Sequence, residues 1–202
     1  MITSTSSSQV KHVVNLQKKA KLRKEEKQFV VEGVKMVSEA PADRLVKVYV
    51  SETFKADNEE FLERMNYDSI GKDVLEIVTD NVFMRMADTQ TPQGIMAVVR
   101  MSDTDLEGIL SDKHNPLLLI IENLQDPGNL GTIVRMAEGA GVTGIIMSSN
   151  TVDIYNPKTI RSTMGSLYRV PVIYVDDICE AADVCKSKGC LLYTSPSPRD
   201  VE

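Results

Sequence analysis

The segment that most constrains this chain is a junction near its middle. The apolar run Leu117-Leu-Leu-Ile-Ile121 feeds directly into Glu122-Asn-Leu-Gln-Asp-Pro-Gly-Asn129. Pro127 fixes φ at the first central position of a turn, and Gly128 sits where a type II turn needs φ > 0. Asn129 is then predicted to cap a following helix, whose first free N–H groups can hold an anion. Arg135 falls within the first two turns of that helix. Turn, N–H groups and guanidinium are expected to converge beyond the carboxyl end of a buried strand, where open α/β sheets place ligands. Taken alone, the same residues also describe a plain Pro-Gly turn, a capped helix and a surface arginine.

The rhythm around the junction sets the fold class. From Pro116 the pattern predicts a strand at 117–121, a helix at 130–139, a strand at 144–148, a helix at 157–165, a strand at 170–175 and a helix at 177–187. Such alternation implies a parallel sheet with helices on its faces. Upstream, the pattern predicts a basic helix over 8–27 and a strand at 29–33, then a helix near 36–39 stopped by Pro41. Strands at 46–51, 74–78 and 93–100 follow, with helices near 58–65 and 80–86. Residues 1–100 thus form a small α/β unit, and the polar stretch 101–116, with a helical patch at 106–110, reads as a linker. Gly139-Ala-Gly141-Val-Thr-Gly144 matches a dinucleotide-binding glycine pattern, but that fingerprint needs a strand before it and a helix after it. Here the order is reversed, so one of Gly139 and Gly141 is expected to supply a left-handed helix end.

Composition excludes several classes. No run of 18 apolar residues occurs, and the polar start Met1-Ile-Thr-Ser-Thr-Ser-Ser-Ser8 lacks a signal-peptide core, so no membrane partner and a cytoplasmic location are expected. Cys179, Cys185 and Cys190 have neither zinc-site nor disulfide spacing, and His12 and His114 lie apart, so no metal is expected. The net charge is −6, yet seven basic residues between Lys11 and Lys27 (Lys19, Lys21 and Arg23 among them) face only Glu25 and Glu26. That asymmetry puts phosphate-attracting charge on one face. A solvated helix face is the plainer account of it.

A second cluster supplies the missing context: Asp153-Ile-Tyr-Asn-Pro-Lys158, then Arg161, Gly165, Arg169 and Pro171. With the first cluster it closely resembles the SpoU-type (TrmH-like) RNA 2'-O-ribose methyltransferases. Asn129, Gly131 and Arg135 match the family's first motif after its turn residues Asp126, Pro127 and Gly128; Asn156, Pro157, Lys158, Arg161 and Gly165 match its second. Residues 8–100, through Phe29–Gly33 and Thr91-Pro-Gln-Gly-Ile-Met-Ala-Val-Val99, resemble the RNA-binding domain, similar to ribosomal protein L30e, that precedes many such catalytic domains. The implied fold is an L30e-like α/β domain followed by a parallel-sheet SPOUT methyltransferase domain over 117–189.

The resemblance implies methyl transfer from S-adenosylmethionine to a ribose 2'-hydroxyl of RNA, with ribosomal RNA favoured over transfer RNA, by a homodimer. It assigns the chemistry to Arg135, supported by Asn129, and phosphate contacts to Lys158 and Arg161. The family's knotted C-terminal segment and its cofactor loops do not occur in this sequence, so cofactor-binding residues are not assigned. The chain is therefore expected to be an incomplete, inactive copy, and a non-catalytic RNA-binding protein is the alternative. Residues 190–202, which run Cys-Leu-Leu-Tyr-Thr-Ser-Pro-Ser-Pro-Arg-Asp-Val-Glu, resemble adapter read-through and are expected to be non-native. Charge reversal at Lys19, Lys21 and Arg23 should weaken RNA binding and flatten its dependence on salt, measured by titration at several ionic strengths.

Overall fold

The computed structural model describes residues 1–65, 74–111 and 116–194. The end of the linker, with His114, and the Ser195-Pro-Ser-Pro198 segment lie outside the described residues. The first half runs α1 (Ser8–Lys18), α2 (Ala20–Glu26), β1 (Gln28–Glu32), α3 (Val34–Ser38), β2 (Leu45–Ser51), α4 (Glu52–Asp57), α5 (Glu59–Met65), β3 (Leu75–Val78), α6 (Asp80–Met86) and β4 (Ile95–Arg100). After α7 (Leu106–Ser111) come β5 (Leu118–Ile121), α8 (Pro127–Gly139), β6 (Gly144–Ser148), α9 (Pro157–Thr163), β7 (Val172–Val175) and α10 (Ile178–Ser187). No described helix is long and apolar enough to cross a membrane.

Two sheets result. The first has strand order β1-β4-β2-β3, with β4 antiparallel to both neighbours and β2 parallel to β3. The second is the expected all-parallel sheet, in the order β5-β6-β7. Alternation along the strands assigns each face of the first sheet. Val30, Met96 and Val98 pack with Val10, Val13 and Leu16 of α1 and with Val82, Phe83 and Met86 of α6. Phe29, Val31, Ile95, Ala97 and Val99 turn the other way. They join one core with Leu130 and Val134 of α8, Ile145 and Met147 of β6, and Ile160 of α9. The two halves therefore share an interior. Ile146 of β6 points to the opposite face, against Ile109 of α7 and Ala181 and Cys185 of α10.

Polar contacts reinforce the seam. The Tyr168 hydroxyl donates to the Met36 carbonyl at 2.9 Å. Phe29 and Tyr155 pack with ring centroids 4.6 Å apart. Arg169 bridges Glu138 of its own half and Glu39 of the other, with its Nη1 2.6 Å from the Glu39 carboxylate. These contacts hold the Arg169 guanidinium well above its ordinary pKa and pull Glu138 below the usual carboxylate value.

Three expectations need correction. The basic helix over 8–27 is broken at Lys19, which is extended at φ −115°, ψ 102°. No Gly or Pro marks that break; a tertiary contact holds it, because Arg23 Nη1 donates to the Leu16 and Gln17 carbonyls at 2.6 and 2.8 Å. Gly128 takes no positive φ and Asn129 caps nothing. Asp126, extended as a residue before proline must be, is the cap instead, its Oδ1 accepting from Asn129 N at 2.7 Å, and Pro127 opens the helix at its first position. Finally, α4 lies where no helix was expected, capped by Ser51, whose Oγ accepts from Phe54 N at 3.1 Å. Gly141 is the left-handed residue past α8, at φ 75°.

Arg23 is the most deeply buried charge of the seam, with 3% of its side chain exposed, and its Nε and Nη2 both donate to Asp153 Oδ2, at 3.0 and 2.6 Å. Removing one partner of a buried pair leaves the other uncompensated. Arg23→Met should lower unfolding stability by about 3 kcal/mol, and adding Asp153→Leu should recover most of that loss. Urea denaturation of the single and double variants checks both.

Candidate active-site face

The carboxyl ends of β5 and β6 are joined by a polar network that the sequence reading missed. Asn123, at φ 52°, donates its backbone N–H to Ser148 Oγ at 2.9 Å, and Ser148 Oγ lies 3.0 Å from Thr151 Oγ1. Gln125 Nε2 donates to Asn123 Oδ1 and to the Asn150 carbonyl, each at 2.8 Å. Val152 N donates to the Leu124 carbonyl at 2.8 Å. Two loops are thereby locked together, and Asp126 then launches α8 from the first of them. Asn123, with its tolerance of left-handed backbone, was the available sequence signal.

The second loop is fixed as firmly. Tyr174 accepts from Ile154 N at 2.8 Å and donates to the Val152 carbonyl at 2.9 Å. Burial pushes this phenol's pKa well up, so it stays protonated and keeps its donor. Asn156 caps α9, its Oδ1 accepting from Lys158 N at 2.9 Å, and Pro157 takes the first helical position.

Gly131 explains how α8 and α9 come together. A Cβ at this position would overlap the Ser162 Cβ and lie 2.7 Å from the Thr159 carbonyl oxygen. Only the absence of a side chain allows the approach. Gly165 is fixed differently: at φ 98° it sits beneath the Glu39 carboxylate, where a side chain would collide.

The two helices present an exposed strip. Lys158 and Arg161 are exposed one turn apart on α9, and Met164 is exposed just past its end. Arg135 leans across from α8, its Nη1 3.1 Å from Met164 Sδ. Met164 is 45% exposed and left-handed at φ 50°. Asn129 is exposed on the first turn of α8, about 9 Å along the axis from Arg135. Among the described residues no hydrogen bond joins the two. The guanidinium therefore lies between the helices, beside Met164, rather than over the Pro127–Asn129 bend.

The expected phosphate ligands divide. Lys19, Lys21 and Lys158 are exposed. Arg161 is 41% exposed but pairs with Asp88 of the first half, Nη1 to Oδ2 at 2.6 Å. An exposed pair of this kind is worth about 0.2–1 kcal/mol and can be exchanged for a phosphate. Arg23 must be struck from the RNA-binding set, because its guanidinium is buried and fully engaged. Two surface cavities, of about 330 Å³ beside Asp80 and Gln93 and about 690 Å³ beside Asp103 and Arg169, lie elsewhere.

Residues 116–201 match the SpoU rRNA Methylase family, and residues 7–97 match the MRM3-like substrate binding domain. The second half of the chain thus carries a SpoU rRNA methylase family domain, and the first an MRM3-like substrate binding domain. The first match takes in most of the segment expected to be foreign. Human mitochondrial rRNA methyltransferase 3 is 32% identical, over 80% of this chain and 38% of its own length. The 23S rRNA (guanosine(2553)-2'-O)-methyltransferase RlmP of Bacillus subtilis is 33% identical, over 58% of this chain and 44% of its own. The chain thus spans less than half the length of either relative. The SpoU methyltransferase AviRb of Streptomyces viridochromogenes superposes with a TM-score of 0.72 at 25% identity, covering 90% of this chain and 66% of that one.

In this SpoU fold the motif glycine Gly131 sets the helix spacing. Gly131→Ala should cost about 1–3 kcal/mol through overpacking, read as a lowered urea midpoint with an unchanged slope.

Proposed function

We propose that the protein to which this chain belongs is an RNA 2'-O-ribose methyltransferase, acting on ribosomal RNA with S-adenosylmethionine as methyl donor. The observation that carries the reading is the exposed strip Lys158–Arg161–Met164–Arg135, which places cations of both family motifs on one surface. The names of the mitochondrial and bacillary relatives support ribosomal RNA as the substrate class. AviRb has also been solved in complex with the cofactor AdoMet.

The described residues fit the RNA side of such a site better than the donor side. Neither cavity lies beside Arg135 or Asn129, and the residues along the strip do not enclose an adenosyl group. The donor, when bound, would supply the methyl group. Lys158 holds a phosphate as a point charge, and Arg161 takes another once Asp88 releases it. A ribose 2'-hydroxyl is a poor nucleophile near neutral pH. Arg135 stabilises the alkoxide that develops there, since a guanidinium is a hydrogen-bond donor with no acceptor. Asn129, exposed on the first turn of α8, holds the ribose. The first half presents the RNA, and Lys19 and Lys21 extend its basic face.

Homodimerisation belongs to the same reading. Met136, 69% exposed beside Arg135, and Met164 offer apolar surface for a second copy. A cytoplasmic location follows the bacterial rather than the mitochondrial relatives. The alternative reading is an RNA-binding protein without catalysis.

Labelled methyl transfer to ribosomal RNA separates the two. In a form that binds the donor, Arg135→Ala should reduce transfer by at least about 100-fold while leaving RNA affinity within a few-fold. Arg135→Lys should fail as well, because an ammonium lacks the planar fork. Transfer retained by the lysine variant would remove Arg135 from the chemistry.

A further inference from the structure

The short helix α2 carries two kinds of cation. Lys21 is exposed, and Lys24 lies over the Tyr174 ring with its Nζ 5.9 Å from the centroid. Arg23, on the inner side of the same helix, turns its guanidinium to the protein. Its Nη1 closes the last carbonyls of α1, at Leu16 and Gln17, and its Nε and Nη2 grip Asp153.

Asp153 passes the constraint on. Its other oxygen, Oδ1, accepts from Tyr155 N at 2.9 Å, and its carbonyl accepts from Asn156 N at 3.0 Å. That turn seats Tyr155 on Phe29 and sets Asn156 as the cap of α9. Lys158 is the next residue but one, and Arg161 lies one turn further. An unbroken set of hydrogen bonds therefore runs from the break between α1 and α2 to the first turn of α9. The partners Arg23 and Asp153 stand 130 residues apart in the chain.

We propose that Arg23 is a positioning residue of the RNA-binding surface. Through Asp153 it holds the first turn of α9 in register with the basic face of α1 and α2, so that Lys158 and Arg161 meet the same RNA as Lys19 and Lys21. The inference rests on the RNA-binding reading above. The geometry requires a planar fork, because one edge of the guanidinium serves Asp153 while Nη1 serves two carbonyls. A lysine ammonium, a point charge with rotating donors, cannot serve both sides.

The test uses the intact chain with a labelled RNA hairpin and with fragmented ribosomal RNA, titrated at several salt concentrations. In the wild type, Lys158→Gln with Arg161→Gln should weaken binding and reduce the slope of log K against log salt by about 1.5, the share of two phosphate contacts. In an Arg23→Lys background, which keeps the net charge, the same pair should change the slope by less than about 0.5. Lys19→Gln with Lys21→Gln should cost the same affinity in both backgrounds. Asp153→Asn, which keeps side-chain size, should reproduce the Arg23→Lys result and replaces it where that variant is unfolded at the assay temperature. A slope change of about 1.5 persisting in either background overturns the positioning role and leaves Arg23 a fold residue. Wild-type protein that binds neither RNA overturns the proposed function, and this role with it.

Discussion

A buried guanidinium ties the break between α1 and α2 in the first half to the loop before α9 in the second. Arg23 sits at the seam where the first sheet meets the loop before α9, and it meets carbonyls on one side and a carboxylate on the other. Desolvating an arginine is costly, and the cost is offset only because its donors are matched. Around it the seam is apolar: Phe29 under Tyr155, and β1 against the α8–α9 layer. The exposed bridges from Arg161 to Asp88 and from Arg169 to Glu39 add little energy each by comparison. They do fix orientation at two further points along the same line.

That arrangement changes how the second motif is understood. Asn156 and Pro157 are helix-start chemistry, Gly165 is a close approach to Glu39, and Arg161 is held by Asp88. Apart from Lys158, each residue of the motif thus has a structural account within this chain, beside the RNA contact proposed for Arg161. In the first motif the same holds for Asp126, Pro127 and Gly131. Asn129 and Arg135 are the first-motif side chains that serve neither the helix start nor the helix approach, and they are the ones to which chemistry is ascribed.

Local patterning made much of the fold legible. The strand at 144–148 and the helix at 80–86 fall where apolar periodicity and flanking residues put them, because nothing distant competes there. The start of α8 was misread by three residues: a proline followed by glycine suits a turn or a first helical turn equally, and only the Asp126 side chain decides. Arg23 could not be told from its six basic neighbours by composition. One signal was available, since Arg23 continues the buried face of Val10, Val13 and Leu16 at a spacing of seven from Leu16. Its partner Asp153, like Asp88 for Arg161, lies too far along the chain for any local pattern to find. The family resemblance supplied the roles of Arg135 and Asn129; spacing alone supported a surface arginine as well.

The common interior has a consequence for the segment between β4 and β5. It connects the two halves in sequence and packs Ile109 of α7 against β6 and α10, while the joint between the halves lies elsewhere. A nick there would leave both pieces clasped by the packing of Phe29, Val31 and Val99 against Leu130 and Ile160. Evolution or an engineer could lengthen that tether, or reorder the pieces by circular permutation, without loosening the joint.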